Sequence, residues 1–160
     1  MFDVRRLFAA LRSRPGPQNA FERGIVALDA GRHAAAVLEF EAALAEAADD
    51  ARRAATHNKR GVAYVGLGRR PEALEAFCAA LDSDERCAPA LVNIGNLLLE
   101  DGHAQDAIDY YEAAIRADET YPPAHRNLGI ALKRLGRRSE SVRALRLADR
   151  LAGRRAPPRA

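Results

Sequence analysis

Arg60-Gly61-Val62-Ala63-Tyr64, Ile94-Gly95-Asn96-Leu97-Leu98 and Leu128-Gly129-Ile130-Ala131-Leu132 decide the fold of this 160-residue chain. Gly61, Gly95 and Gly129 are 34 residues apart. A second glycine follows each of them at a constant distance, as Gly68, Gly102 and Gly136. Beyond it the positions again match: Ala73, Ala107 and Ser141, then Phe77, Tyr111 and Leu145, then Ala80, Ala114 and Ala148. An earlier copy appears at Gly24, Gly31, Ala36, Phe40 and Ala43, with about three residues inserted before the next. Self-similarity at a fixed period marks a repeat architecture, in which each unit buries its apolar face only against its neighbours.

Each unit reads as two amphipathic helices joined by a short turn. Leu91, Ile94, Leu97 and Leu98 fall on one helical face, and Ala107, Ile108, Tyr111, Ala114 and Ile115 on the next. The first glycine lies mid-helix, where it costs about 1 kcal/mol relative to alanine. That placement makes sense where a neighbouring helix occupies the space of a side chain. The second glycine suits the left-handed residue that ends a helix. Helices are predicted over 18–30, 33–48, 53–67, 70–83, 88–101, 104–117, 122–135 and 138–152.

This pattern resembles the tetratricopeptide repeat, with its 34-residue period and its glycine, alanine, aromatic and proline landmarks. The resemblance implies an all-α, right-handed α-solenoid of about four helix-turn-helix repeats, near 17–50, 54–87, 88–121 and 122–152. The sequence departs from the family at Ala20, His57, Leu91 and His125, where a large aromatic is usual, and at Ala48, Glu85 and Glu119, where proline closes the repeat. It also implies that the first helix of each pair lines a concave groove that binds a protein or peptide partner. Mapped onto this chain, the groove offers Asn58, Lys59, Val62, Val92, Asn93, Asn96, Arg126, Asn127, Ile130 and Lys133. Asn93 and Asn127 recur at one repeat position. A side-chain amide both donates and accepts, so it can pair with the backbone of an extended peptide or, alternatively, fasten one repeat to the next. The family's clamp for a C-terminal carboxylate maps onto Asn58, Val62, Asn93, Pro123 and Asn127, of which only Asn93 matches, so a chaperone tail is disfavoured. The mixed groove instead predicts a peptide with apolar anchors and an acidic residue near Arg126 and Lys133.

Composition sets the remaining bounds. At 48% hydrophobic residues a packed core is within reach, and at 6% aromatic it rests on alanine and leucine, both strong helix formers. The net charge of +3 hides a division: 1–17 carries +3, 18–132 carries −8 and 133–160 carries +8. An acidic body with basic ends argues against nucleic acid as partner. No phosphate-binding loop, nucleophile elbow or zinc-protease motif occurs, so neither enzyme activity nor a cofactor or metal is expected. Asp82, Asp84 and Glu85 read as solvated helix ends, His33 and His103 as exposed, and Cys78 and Cys87 as small, at least half-buried hydrophobes of a reducing compartment. No segment reaches the roughly 20 apolar residues of a membrane span, and no signal peptide is evident. A cytoplasmic location follows, peripheral at most to a membrane or assembly.

The ends read differently from the body. Residues 1–16 combine a basic amphipathic helix, with Phe2, Leu7, Phe8 and Leu11 in one stripe, and a Pro15-Gly16-Pro17 break. It either caps the first repeat or docks on an anionic membrane or shell. Residues 153–160 are expected to form a disordered basic tail. A second functional reading is therefore a self-assembling or surface-docked structural protein acting through its ends, with a homo-oligomer as its product.

Overall fold

The computed structural model describes residues 19–155. The docking-helix residues Phe2, Leu7, Phe8 and Leu11, and the tail beyond Arg155, lie outside the described residues. Eight helices follow one another: α1 (Ala20–Asp29), α2 (His33–Ala45), α3 (Asp50–Gly66), α4 (Arg70–Ser83), α5 (Ala88–Glu100), α6 (Ala104–Ala117), α7 (Pro122–Arg134) and α8 (Arg138–Arg155). No strand occurs among the described residues.

The eight expected helices are present, with shifted ends that have local causes. Asp49 accepts a hydrogen bond from the Arg52 amide at 2.7 Å, a side-chain cap that starts α3 at Asp50, three residues earlier than the apolar periodicity indicates. Helix α2 stops at Ala45, so the inserted residues form the α2–α3 connection. Helix α8 continues to Arg155, past the expected limit at 152, and takes in the first residues of what reads in sequence as tail.

Each glycine of the repeat does what its position requires. Gly31, Gly68, Gly102 and Gly136 have φ between +68° and +89°, the left-handed conformation that turns the chain from the first helix of a pair to the second. Gly61 faces the buried Phe77 ring so closely that a β-carbon would stand 2.4 Å from Phe77 Cε1. Gly24 meets Phe40, Gly95 meets Tyr111 and Gly129 meets Leu145 in the same way. The mid-helix glycine and the residue 16 positions later are thus one packing unit, repeated four times.

The packing order creates two unlike faces. Every helix packs on its sequence neighbours, and α1 touches α3, α3 touches α5 and α5 touches α7. The backbones of the second helices do not approach one another closely, nor do those of α1 and α2 approach α5 through α8. The odd helices therefore form a continuous inner wall, while the even helices stand apart on the outside. The chain is an open all-α solenoid, not a closed bundle. Its largest core cluster joins the third and fourth pairs and includes Leu91, Val92, Leu99, Ile108, Tyr111, Ala124 and Leu132.

Candidate functional site

On the inner wall, α3, α5 and the loops that follow α4 and α6 enclose a hollow of about 560 Å³. Ala51, Ala54 and Ala55 give it an alanine side small enough to leave room, and Asn58, Lys59, Val62 and Asn93 bring in the predicted groove residues. A smaller recess of about 120 Å³ continues along the wall between Val62, Val65, Asn93, Asn96 and Glu100. Five of the ten predicted residues are therefore gathered in adjoining concavities.

The asparagines are joined to one another. Asn93 Nδ2 donates to Asn58 Oδ1 at 2.8 Å, linking α5 to α3. Asn127 Nδ2 donates to Asn96 Oδ1 at 2.7 Å, linking α7 to α5. Asn96 Oδ1 also accepts from the Tyr111 hydroxyl at 2.9 Å. Asn58 is only 6% exposed, so its pairing satisfies a polar group inside the protein. Of the two readings open from sequence, the inter-repeat bond is the one present. It leaves the outward side of Asn93 on the hollow.

The other predicted residues divide. Val92 is a core residue, 4% exposed and packed with Leu91 and Leu99, and does not line the groove. Successive residues of a helix are 100° apart, so the apolar stripe and the groove stripe adjoin, and Val92 falls inside the boundary. Ile130, 40% exposed, and Lys133 lie open on α7, outside both concavities. Arg126, also on α7, donates to Asp149 Oδ1 of α8 at 3.0 Å, so a partner's acidic residue meets a guanidinium already shared.

Several residues at this site escape a reading by helix faces. Arg86 lines the hollow from the loop after α4 and donates to the Ala117 carbonyl at 3.2 Å. Asp84 and Asp118 line it at equivalent repeat positions. Asp84 Oδ1 accepts from the Arg86 amide at 3.0 Å and Asp118 Oδ1 from the Thr120 amide at 2.9 Å. They are half-buried turn formers, which corrects the reading of Asp84 as a solvated charge. Their 34-residue spacing was the available signal.

The titratable groups carry structural duties. Burial, aided by Arg60 and Arg53, holds the His57 imidazole below its ordinary range against the opposing pull of Asp82. His125 pairs with the Glu119 carbonyl at 2.8 Å. His103 is exposed as expected, whereas His33 is half-buried with its ring against Gly66. Cys87 is buried, but Cys78 is exposed, since it sits on the outer side of α4 where no neighbouring helix covers it. No group of three metal-ligating side chains occurs among the described residues, and no described helix is long and apolar enough to cross a membrane.

Comparison with known proteins agrees with this architecture. No curated protein matches the chain in sequence. The crystal structure of MamA superposes with a TM-score of 0.68 at 20% identity, covering 94% of this chain and 87% of that one. The second TPR of Spaghetti (RPAP3), bound to the HSP90 peptide SRMEEVD, gives 0.59 at 22% identity over 64% of this chain and 89% of that one. YrrB, described as a TPR protein with an unusual peptide-binding site, gives 0.62 at 20% identity over 82% and 66%. These are likenesses of fold. One tetratricopeptide repeat family model matches residues 4–51 and 58–122, and a second matches 98–156. With the four glycine–partner pairs and the turn glycines in register, the chain belongs to the tetratricopeptide repeat family.

Proposed function

We propose that the chain is a non-enzymatic protein-interaction scaffold that takes a peptide segment of a partner along its inner wall. The observation that carries this reading is the hollow of about 560 Å³ between α3 and α5, with alanines on one side and polar groups converging from Asn93, Lys59 and Arg86. Concave sites with a few oriented polar groups are where ligands gain most from an existing surface. Two proteins of similar fold bear on it: the second TPR of RPAP3 is bound to a peptide, and YrrB is described as having a peptide-binding site. The carboxylate clamp is mostly missing here, so the peptide is read as an internal segment. Its apolar anchors rest on Val62 and Ile130, and an acidic residue faces Lys133 and Arg126.

Peptides selected from a random library on the full chain test the proposal. Asn93 is the wrong residue to change, because it fastens the repeats. Lys59→Glu with Lys133→Glu should weaken the selected peptides about tenfold or more while circular dichroism stays unchanged. Selected peptides that bind this variant as tightly as the wild type overturn the groove as the site.

A further inference from the structure

The outer face carries a second pair of complementary features. Arg143, Arg146, Arg150 and Arg154 are all exposed on α8. At 100° per residue they form one stripe, with the half-buried Leu147 along its flank and midway between its ends. Among the described residues none of these four arginines has an acidic hydrogen-bond or ion-pair partner. Leu147, Arg143, Arg146, Arg150 and Asp149, the last already paired with Arg126, line a shallow concavity, so the stripe is a basic ridge with an apolar flank.

The complement lies two repeats away. Because the backbones of the even helices stand apart, α4 and α6 leave a cleft of about 520 Å³ between them. Its walls are apolar, from Leu74, Leu98 and Tyr110, and its rim holds Asp101 and Asp106. Leu74 is 43% exposed there. Arg70, at the edge of the cleft, is already neutralised by Glu100 and Asp101 at 2.6 and 2.7 Å. Glu75 and Asp109, exposed beside the lining Leu74 and Tyr110, add charge that no described lysine or arginine pairs.

We propose that α8 of one copy docks on the outer cleft between α4 and α6 of a second copy, with Leu147 seated in the cleft and its arginines over the acidic rim. The occupant is a second copy because the sequence supplies both halves: the body over 18–132 carries −8 and the segment over 133–160 carries +8. Arg143 and Arg150 are about 10 Å apart along the helix, within reach of charges on both α4 and α6. The two surfaces differ, so the contact is heterologous, and a docked pair keeps one free ridge at one end and one free cleft at the other. Assembly is then open-ended, concentration-dependent and sensitive to salt. It is independent of the inner wall.

Sedimentation of the full chain with charge-swap variants tests this. At low ionic strength the wild-type mass should rise with concentration above the 17.4 kDa of one copy. At about 1 M salt, where the Debye length is about 3 Å, it should return to that value. Arg143→Glu with Arg150→Glu, or Glu75→Arg with Asp109→Arg, should each weaken self-association about 100-fold. Mixing the two variants should restore it, since each then offers the charge the other lacks, and that recovery also shows both are folded. Leu147→Asp should act like either reversal. The proposal is overturned if the wild type stays monomeric at low salt, or if the mixture fails to reassemble. It is equally overturned if assembly is lost only on removing residues 1–16. Arginine-dependent binding to phosphatidylserine vesicles or duplex DNA without self-association would assign the ridge to another anion and overturn it as well.

Discussion

Asn127 and Tyr111 meet on a single atom, Asn96 Oδ1, from the neighbouring repeat and from within the same repeat respectively. The two bonds, at 2.7 and 2.9 Å, use both lone pairs of that oxygen. Tyr111 is fully buried, so its hydroxyl has no recourse to water.

Asn96→Ala should therefore cost more than Asn127→Ala. Removing Asn127 forfeits one bond, about 1 kcal/mol, whereas removing Asn96 also strands a buried hydroxyl, about 1–3 kcal/mol further. Urea unfolding of both variants checks the order. Tyr111→Phe in the Asn96→Ala background should recover part of the loss, because no donor is then left unpaired.

Glycine substitutions should split by what faces them. Gly61→Ala drives a β-carbon into the buried Phe77 ring. Overpacking of about 1–3 kcal/mol outweighs the roughly 1 kcal/mol gained in helix propensity, so the variant is destabilised. Gly153→Ala in α8 meets nothing within 4 Å and should be neutral or stabilising by up to about 1 kcal/mol. Thermal unfolding of the two variants should shift in opposite directions or, at least, only the first should fall.

Acid and alkali should each weaken the fold through one residue. His57 is depressed below 6.5, chiefly by burial, and its Nδ1 has no hydrogen-bond partner among the described residues. Below 6.5 the unfolded chain takes up a proton that the folded chain refuses, so stability is full above that pH and falls as pH drops through it. Burial pushes the Tyr111 hydroxyl from 10.0 to about 12. The folded chain keeps that proton longer than the unfolded one, so stability is full below pH 10 and is lost as pH rises towards 12. Melting temperatures from acid to alkaline pH should show both shoulders. His57→Leu, which installs the residue found at the equivalent Leu91, should flatten the acid one.

The two thiols should react at different rates. Cys78 is exposed, while Cys87 is buried and its thiol is pushed up by that burial. A disulfide reagent at neutral pH should modify one thiol promptly and the second about 100-fold more slowly, through transient opening. Cys78→Ser should abolish the fast phase.

Local chemistry made most of the fold legible. Gly61 and Phe77 announce a close helix crossing because only glycine leaves room for the ring, and Gly68 announces the turn because its φ is +71°. The site was legible only to the resolution of a helix face. Val92 and Asn93 are adjacent, yet one belongs to the core and the other to the hollow, a boundary set by how the hairpins lean on each other. The bond from Asn93 to Asn58 spans 35 residues and two helices, and no periodicity within one helix specifies it. Arg86 and Asp84 came from a loop, where there is no face to read.

Three arginines converge on the helix ends of the third hairpin. Arg70 reaches the Leu97 carbonyl from the second repeat, Arg134 the Leu99 carbonyl from the fourth, and Arg86 the Ala117 carbonyl that ends α6. Each places a cation at the carbonyl end of a helix, where the dipole favours it, and the Leu97 and Leu99 carbonyls accept the guanidinium in addition to the Asp101 and Gly102 amides. In a linear array, stability is a sum over units and the joints between them. The third hairpin is thus tied by side-chain bonds to both neighbours and shares the largest core cluster with the fourth, and thermal fraying advances towards it from the first. Amide protons of α5 and α6 should be the last to exchange, and a truncated chain should retain its structure only while this hairpin keeps a neighbour on each side.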